Sequence, residues 1–213
     1  MIFNTDHFWI RHPPEIASIA TLGPEGTSSQ SAAKYLTHLI GAPLDILLFD
    51  TFELASEYVE KNESCIFLVA NAYQRVDNFY MNKNTLLLGS FFYSPPDYYL
   101  GCKTSLALEK KIAEQQTIKI ATHHAPLSRL KSLIESAEDK IFGISDAHLE
   151  IEITNSTSNG AKLVVNGDVD CCLANADAIK HYGLTAISHP LHIEMTWWYF
   201  LTAKFIKGKL HNE

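Results

Sequence analysis

The sequence lacks the features that mark several large classes of protein. It has no run of Lys and Arg, and its 17 basic and 24 acidic side chains give a formal net charge of −7, so nucleic acid is not an expected partner. No apolar run reaches the ~18 residues that a membrane-spanning helix needs, and residues 1–15 lack the apolar core of a signal peptide. The four cysteines have no paired C-x-x-C spacing, which favours free thiols over disulfides or a structural zinc. We therefore expect a cytoplasmic protein with no membrane partner.

The chain does contain enough apolar material for a folded core. Hydrophobic residues make up 46% of its 213 residues and charged residues 19%, a balance typical of globular proteins. Apolar runs alternate with helical spacings, which predicts an α/β fold of mainly parallel sheets with helices on both faces. The spacing predicts strands over 16–22, 44–49, 65–69, 86–93, 98–102, 118–122, 149–154, 171–174 and 197–204, and helices over 29–40, 52–60, 105–115, 126–137, 157–166 and 177–182.

Two proline-containing breaks, near residues 95 and 190, predict a chain that enters a second lobe and then returns. This organisation gives an N-terminal extension over residues 1–16, a first lobe over 17–94 plus 190–213, and a second lobe over 95–189. In open α/β sheets, ligands bind at the carboxyl ends of the strands, so the site is expected in the cleft between the lobes.

The turn over residues 23–29 (GPEGTSS) has the composition of an anion site. Its glycines permit close backbone approach, and the hydroxyls of Thr27, Ser28 and Ser29 join the first N–H groups of the following helix as uncharged donors. The turn lacks the lysine of a P-loop and does not match G-x-G-x-x-G. A carboxylate therefore fits better than a nucleotide, and a capped helix without a ligand is the alternative.

A second turn, over residues 155–158 (NSTS), carries more polar side chains than a helix cap requires. One of them can cap the helix, which leaves three for a ligand; a solvated polar turn is the alternative. Two such turns on either side of a cleft would hold a ligand with two carboxylates. The helix N-termini would attract the carboxylates locally, which is important because the net charge of −7 repels a dianion at longer range.

Histidine is abundant, but no metal site is predicted from it. His189 and His192 could be imagined as ligands, yet neither H-E-x-x-H nor an acidic cluster accompanies them. His123 follows a predicted strand and is a candidate for hydrogen bonding or proton transfer. A histidine bonded to backbone at the strand end is the alternative.

Residues 21–33 (TLGPEGTSSQSAA) resemble the Gly-Pro-x-Gly-Thr-x-Ser signature of the prephenate dehydratase superfamily. Further stretches, in family order, are similar to the prephenate decarboxylases of the bacilysin-type antibiotic and aeruginosin pathways: DTFE at 50–53, NAY at 71–73, FYM at 79–81, HHAP at 123–126 and NSTS at 155–158. The resemblance implies a two-lobed fold of the type II periplasmic-binding-protein class, as in the dehydratase catalytic domain, with the ligand in the interlobe cleft.

The sequence departs from the dehydratase pattern at two places. Dehydratases carry Glu-Asn-Ser after the third strand and Thr-Arg-Phe near the end of the catalytic domain, whereas this chain has VANAYQ at 69–74 and MTWW at 195–198. At most Thr196 is retained from these two motifs. In dehydratases, polar side chains would help the hydroxyl of the prephenate ring to leave, and here the bulky side chains of Tyr73, Trp197 and Trp198 would replace them. The resemblance therefore implies a carbon–carbon lyase that decarboxylates prephenate to a dihydro-4-hydroxyphenylpyruvate. The about eleven residues after Thr202 are too few for the dehydratases' phenylalanine-binding regulatory domain, so none is expected.

The resemblance also assigns roles to individual residues. Substrate binding is expected at Gly26, Thr27, Ser28, Ser29, Asn71, Tyr73, Asn155, Ser156, Thr157 and Ser158. Catalytic roles are expected at Glu25, His123 and Thr196, with a bound water or the substrate itself as other proton sources. No cofactor is expected, because the ring diene can accept the electrons as the proton arrives. Prephenate dehydratase and a noncatalytic small-molecule binding module are the alternative functions, and sheet edges or aromatic surface could support a homodimer.

Overall fold

The computed structural model describes residues 16–204. Its strands are β1 (Ser18–Leu22), β2 (Asp45–Phe49), β3 (Cys65–Ala70), β4 (Thr85–Phe92), β5 (Tyr98–Cys102), β6 (Ile118–His123), β7 (Leu149–Thr154), β8 (Cys171–Asn175), β9 (Thr185–Ala186) and β10 (Thr196–Thr202). Its α-helices are α1 (Ser28–Ile40), α2 (Phe52–Lys61), α3 (Asp77–Tyr80), α4 (Ser105–Ala113), α5 (Leu130–Ala137), α6 (Thr157–Asn166) and α7 (Ala176–His181). Two short 3-10 helices cover Ala125–Arg129 and Ile144–Asp146.

The described residues form two units, each built on one five-stranded sheet. The first unit contains residues 16–23, Ser29–Ser94 and 194–204, and the second contains Pro24–Ser28 and Pro95–Ile193. This division differs from the predicted one at the turn after β1 and at the return, which follows Ile193. The return is later because Leu191 exchanges two backbone hydrogen bonds with Tyr98, at 2.8 and 2.9 Å, and so belongs to the second sheet.

The terminal parts of the predicted lobes lie outside the described residues. The predicted extension over 1–16 is represented only by Ile16, which is buried in the core of the first unit. Residues 205–213 of the predicted first lobe are likewise outside the described range.

The first sheet has the strand order β2-β1-β3-β10-β4. β1 pairs in parallel with β2 and β3, while β10 runs antiparallel to β3 and β4. Successive side chains of a strand point to opposite faces, so Trp197 joins the core that contains Leu36 of α1, and Phe200 joins the core that contains Phe52 of α2. Helices therefore cover both faces of this sheet.

The second sheet has the strand order β7-β6-β8-β5-β9. β6 pairs in parallel with β7 and β8, while β5 runs antiparallel to β8 and β9. One face packs against Leu108 of α4 and Leu133 of α5, and the other packs against Ala161 of α6 and Ile179 of α7. The predicted α/β class, with helices on both faces of each sheet, is confirmed.

Several local features differ from the predicted elements. β5 follows the boundary at Pro95 and β10 follows the boundary after Ile193. Both strands are antiparallel to their neighbours, which the alternation of strands and helices did not predict. The predicted helix over 126–137 begins as a 3-10 helix, with Pro126 in its first turn, and becomes α-helical only at Leu130. α3 has four residues, too few to give a periodic apolar signal.

The four cysteines are free and buried, as their apolar surroundings predicted. Burial raises the pKa of Cys102 to about 11, so this thiol stays protonated at neutral pH. Within residues 16–204, no helix combines the length and the apolar composition needed to cross a membrane.

Candidate active site

The carboxyl edge of the second sheet gathers many of the predicted polar residues. β6 ends at His123, which is paired in register with Thr154 at the end of β7. β8 ends at Asn175, which is paired with Tyr98 at the start of the antiparallel strand β5. Because β6, β7 and β8 are parallel, these strand ends lie along one edge of the sheet, and residues 155–158 continue from it.

The turn that follows β1 is attached to this second unit. Gly26 has a φ of +80°, and a Cβ added there would lie 3.2 Å from the Cα of Ala178 in α7. Glycine meets both requirements, a left-handed backbone and close approach to another backbone. The Ser28 Oγ lies 2.6 Å from the Tyr98 Oη and 3.0 Å from the Asn175 Nδ2. The turn is therefore fixed by both packing and hydrogen bonds.

Asn175 links this turn to the start of α7. Its Oδ1 accepts a hydrogen bond from the N–H of Ala178 at 2.8 Å and so caps the helix, while its Nδ2 donates to Ser28. The side chain is fully buried. Sequence reasoning did not identify Asn175 as a site residue, although an Asn between a strand and a helix is an N-cap signal.

Ser156 is the capping residue of the second predicted turn. Its Oγ accepts from the N–H of Asn159 at 3.1 Å, and the Thr154 Oγ1 donates to its carbonyl at 2.8 Å. The cap serves the third residue of α6, so the N–H groups of Thr157 and Ser158 in the same turn have no intrahelical acceptor. These two N–H groups are available to an anion at the helix N-terminus.

The side chains around this helix start differ in exposure. Asn155 is exposed, whereas the three residues that follow it are buried. The Ser158 Oγ is fully buried and has no hydrogen-bond partner among residues 16–204, a situation that costs about 1–3 kcal/mol. Gly160 lets α6 pack closely on β6, since a Cβ added there would lie 3.3 Å from the Ala121 carbonyl oxygen.

His123 is a neutral imidazole at neutral pH. Burial, together with the neighbouring His124 ring at 4.0 Å between centroids, lowers the pKa of His123 to about 4. Its Nδ1 accepts a hydrogen bond from the N–H of Ala125 at 3.3 Å, so the ring proton lies on Nε2. His123 can therefore donate one hydrogen bond from the sheet edge but carries no charge there.

The carboxyl edge of the first sheet contains a second polar group. Asn71 follows β3 and Thr196 begins the antiparallel strand β10, so both lie at the same end of the sheet. The Asn71 Nδ2 donates to the Thr196 Oγ1 at 3.0 Å. The Thr196 hydroxyl accepts this bond and keeps its own hydrogen for another acceptor.

Tyr73 lies near this edge in an ion-pair cluster. Its Oη donates to the Glu53 Oε1 at 2.8 Å and accepts from the guanidinium of Arg75 at 2.8 Å, while Arg75 also pairs with Glu53 at 3.0 Å. Burial, together with the hydrogen bond to Glu53, raises the pKa of Tyr73. Sequence reasoning missed Arg75, because an exposed arginine after a strand has no distinctive local pattern.

The bulk that was predicted at Trp197 lies in the core of the first unit. Its side chain is 1% exposed in the α1 core, and its Nε1 donates to the Tyr93 carbonyl at 3.1 Å. Trp198 lies on the other face of the sheet, where its ring centroid is 4.2 Å from that of Tyr80. The register of β10 decides these faces, and the sequence alone did not reveal it.

The predicted site residues are divided between the two units. The second unit holds Glu25, Gly26, Thr27, Ser28, His123, Asn155, Ser156, Thr157 and Ser158. The first unit holds Ser29, Asn71, Tyr73 and Thr196. Glu25 is exposed, and Thr27 and Ser29 are buried.

His189 and His192 each lie beside one carboxylate. The His189 Nε2 lies 3.3 Å from the Asp139 carboxylate, and the His192 Nδ1 lies 2.8 Å from the Asp97 carboxylate. Among residues 16–204, no three His, Cys, Asp or Glu side chains are grouped as metal ligands.

Comparison with known proteins places this arrangement in a family. The family model for prephenate dehydratase matches residues 19–197. The chain belongs to the prephenate dehydratase family. Within this family it is similar to a prephenate decarboxylase from Bacillus amyloliquefaciens, with 31% identity over 203 residues, 93% of this chain and 91% of the relative. It is also similar to a prephenate decarboxylase from Planktothrix agardhii (strain NIVA-CYA 126/8), with 32% identity over 198 residues, 92% of this chain and 91% of the relative.

The fold of this prephenate dehydratase family member is also found in a solved structure. The crystal structure of prephenate dehydratase in complex with L-Phe from Arthrobacter aurescens matches it with a TM-score of 0.62 and 14% identity. The match covers 87% of this chain, and the chain spans 60% of the dehydratase chain. The predicted fold of the dehydratase type is thereby confirmed.

Proposed function

We propose that this chain is a carboxy-lyase that decarboxylates prephenate without making the ring aromatic. The observation that carries the proposal is the near full-length similarity to two proteins named prephenate decarboxylase, at 31% and 32% identity. The polar strand ends of the second sheet support it, because they supply uncharged hydrogen-bond donors for an anionic ligand.

The reaction follows from the chemistry of prephenate. One ring carbon carries both a carboxylate and a pyruvyl side chain, and a hydroxyl lies across the diene ring. The bond from that carbon to the carboxylate breaks, CO2 leaves, and the electron pair moves into the diene as a ring carbon takes up a proton. The hydroxyl is retained, so the product is a dihydro-4-hydroxyphenylpyruvate. The substrate's own diene accepts the electrons, so the proposal requires no cofactor.

Uncharged donors are suited to holding the two carboxylates of this substrate. We assign this role to the Ser28 hydroxyl and to the first-turn N–H groups of Thr157 and Ser158, with Gly26, Thr27 and Asn155 forming the surrounding turns. Helix N-termini favour anions. Such local attraction is needed because the net charge of −7 repels a dianion at longer range.

The same uncharged donors are compatible with loss of CO2. A departing carboxylate loses its negative charge in the transition state, so a strong cationic partner would stabilise the ground state more than the transition state. Arg75, a cation near the carboxyl edge of the first sheet, is paired with Glu53 and Tyr73. In this account its charge is compensated within the protein and is not directed at the departing group.

The proton that the ring carbon takes up has three candidate donors. These are Glu25, Thr196 and a bound water. His123 acts as a hydrogen-bonding contact through its Nε2–H, because its pKa of about 4 leaves it uncharged at neutral pH. Ser29, Asn71, Tyr73 and Ser156 complete the proposed substrate contacts or hold them in place.

The biological setting is part of the same proposal. We place the product in specialised metabolism, of which antibiotic biosynthesis of the bacilysin type is the example that the resemblance provides. We also propose a cytoplasmic location, a homodimer and no nucleic-acid or membrane partner. Dehydration of prephenate to phenylpyruvate is the second candidate function, because the matching family model is that of prephenate dehydratase.

Proton NMR of the reaction products tests the proposal. Purified protein is incubated with prephenate beside a protein-free control that measures the spontaneous reaction. Vinylic ring protons together with a retained carbinol proton are the expected result. Aromatic signals of phenylpyruvate formed faster than in the control would establish the dehydratase instead, and unchanged prephenate would leave a binding module.

A further inference from the structure

The direction of the hydrogen bonds at Ser28 can be worked out from its two partners. The Asn175 Oδ1 accepts from the N–H of Ala178, which fixes the orientation of the amide. Its Nδ2 can only donate, so the Ser28 Oγ is the acceptor of the 3.0 Å bond. One lone pair of the serine oxygen is therefore in use.

The second partner, Tyr98, is the donor of the other bond. Its Oη lies 2.6 Å from the Ser28 Oγ, the residue is only 6% exposed, and no other acceptor pairs with it among residues 16–204. If Ser28 donated to Tyr98, the phenol hydrogen would be buried without an acceptor, which costs free energy. Burial also raises the pKa of Tyr98, so the phenol keeps its hydrogen at physiological pH.

With both partners donating, the hydrogen of Ser28 must point elsewhere. The residue is partly exposed, so this hydrogen can reach a ligand. We propose that Tyr98 and Asn175 are positioning residues that hold the Ser28 hydroxyl as a hydrogen-bond donor to a substrate carboxylate. The inference rests on the proposed function for the identity of the ligand. It assigns roles to two side chains that lie outside the signature turn.

Holding the Ser28 hydroxyl as a donor favours the binding of an anion. A carboxylate only accepts hydrogen bonds, whereas a freely rotating serine presents either its hydrogen or its lone pairs. A donor that is already oriented needs no reorganisation when the anion binds. Two hydrogen bonds donated to the Ser28 oxygen also polarise its O–H group and strengthen the bond to the ligand.

Three variants separate positioning from a structural role. Tyr98→Phe removes the phenol hydrogen and keeps the ring. Asn175→Ser removes the amide donor and keeps a side chain that caps helices well. Ser28→Ala removes the donor itself. Each is expected to raise the KM for prephenate by about tenfold, the size of one hydrogen bond to a charged group, with kcat within about twofold of wild type.

Tyr99→Phe is the matched control. It removes a phenol hydroxyl from the neighbouring half-buried residue of the same strand, and that hydroxyl has no hydrogen bond within residues 16–204. It should leave KM and kcat unchanged. Thermal unfolding of all variants shows which of them retain the fold.

A double-mutant cycle of Tyr98 and Ser28 is the decisive experiment. If Tyr98 acts through Ser28, adding Tyr98→Phe to Ser28→Ala should produce no further rise in KM. The inference would be overturned if the KM increases of the two single variants multiplied in the double variant, or if Tyr98→Phe had the KM of wild type. If the wild-type product proves to be phenylpyruvate, the proposed function fails, but the cycle still tests the network because both reactions begin with bound prephenate. If there is no turnover, the same pattern is sought in the calorimetric Kd for prephenate.

Discussion

Asn71 and Thr196 are joined twice at the carboxyl edge of the first sheet. The Asn71 N–H donates to the Thr196 carbonyl at 3.0 Å, and the Asn71 Nδ2 donates to the Thr196 Oγ1 at 3.0 Å. The first bond continues the pairing of β3 with β10, and the second is accepted by a hydroxyl that keeps its own hydrogen.

Thr196→Val therefore tests the role of this hydroxyl. The substitution keeps the branched shape and should lower kcat/KM for prephenate by about tenfold or more, the size of one lost hydrogen bond to a charged or reacting group. Steady-state kinetics provide the measurement. Thr202→Val is the control, because Thr202 ends the same strand and its hydroxyl lies 3.4 Å from the Glu60 carbonyl oxygen. Equal losses in both variants would contradict a role for Thr196 at the site.

Ser156→Ala separates helix capping from substrate capture. Loss of the cap should lower the free energy of unfolding by about 1 kcal/mol, and loss of order at the α6 N-terminus should also raise the KM for prephenate several-fold. Thr104→Ala removes an equivalent cap, since the Thr104 Oγ1 accepts from the N–H of Ala107 at 3.4 Å at the start of α4. Urea unfolding should give similar losses for the two variants, with KM changed only in Ser156→Ala. An unchanged KM in Ser156→Ala would remove the α6 N-terminus from the proposed site.

Ser158→Ala tests whether a buried hydroxyl is reserved for the ligand. The Ser158 Oγ and the Ser56 Oγ are the two buried side-chain atoms without a partner among residues 16–204. Ser56→Ala is the control. Removing an unsatisfied hydroxyl should leave the free energy of unfolding of the unliganded protein unchanged or slightly higher in both Ser158→Ala and Ser56→Ala. Prephenate binding, measured as KM, should weaken by roughly fivefold only in Ser158→Ala. Unchanged KM values in both would show that the Ser158 hydroxyl has no role in binding.

His123 should make stability depend on pH in the acidic range. Burial lowers its pKa from 6.5 to about 4, so the unfolded chain takes up the proton at a higher pH than the folded protein. The stabilising contribution is complete above about pH 6.5 and is lost as the pH falls toward 4. His123→Gln should therefore lose less stability than wild type between pH 7 and pH 4.5 in urea unfolding, with the exposed residue His38 changed in His38→Gln as the control. Parallel pH dependences for His123→Gln and wild type would contradict a lowered pKa of His123.

Local signals predicted the elements that carry the turns. α6 begins and ends where the sequence indicated, because Ser156 caps its start and Gly167 ends it with a φ of +87°. Both signals act within a few residues of the helix they bound. The turn over residues 23–29 was likewise predicted, since its glycines and hydroxyls are contiguous in sequence.

The partners of those turns could not be predicted, because sheet register brings them together. Tyr98 and Asn175 face each other only through the antiparallel pairing of β5 with β8, and Ser28 reaches both from a turn that follows a strand of the other sheet. The burial of Trp197 could not be predicted for the same reason, since the register of β10 decides which side chains enter the α1 core. These contacts join residues far apart in sequence and have no local pattern.

The most direct test of decarboxylation without aromatisation is to run the reaction with prephenate in D2O and examine the product by NMR. The account predicts a product that keeps its hydroxyl-bearing ring carbon and carries deuterium at one ring carbon, where the proton enters as CO2 leaves. Phenylpyruvate with an aromatic ring free of deuterium would contradict it.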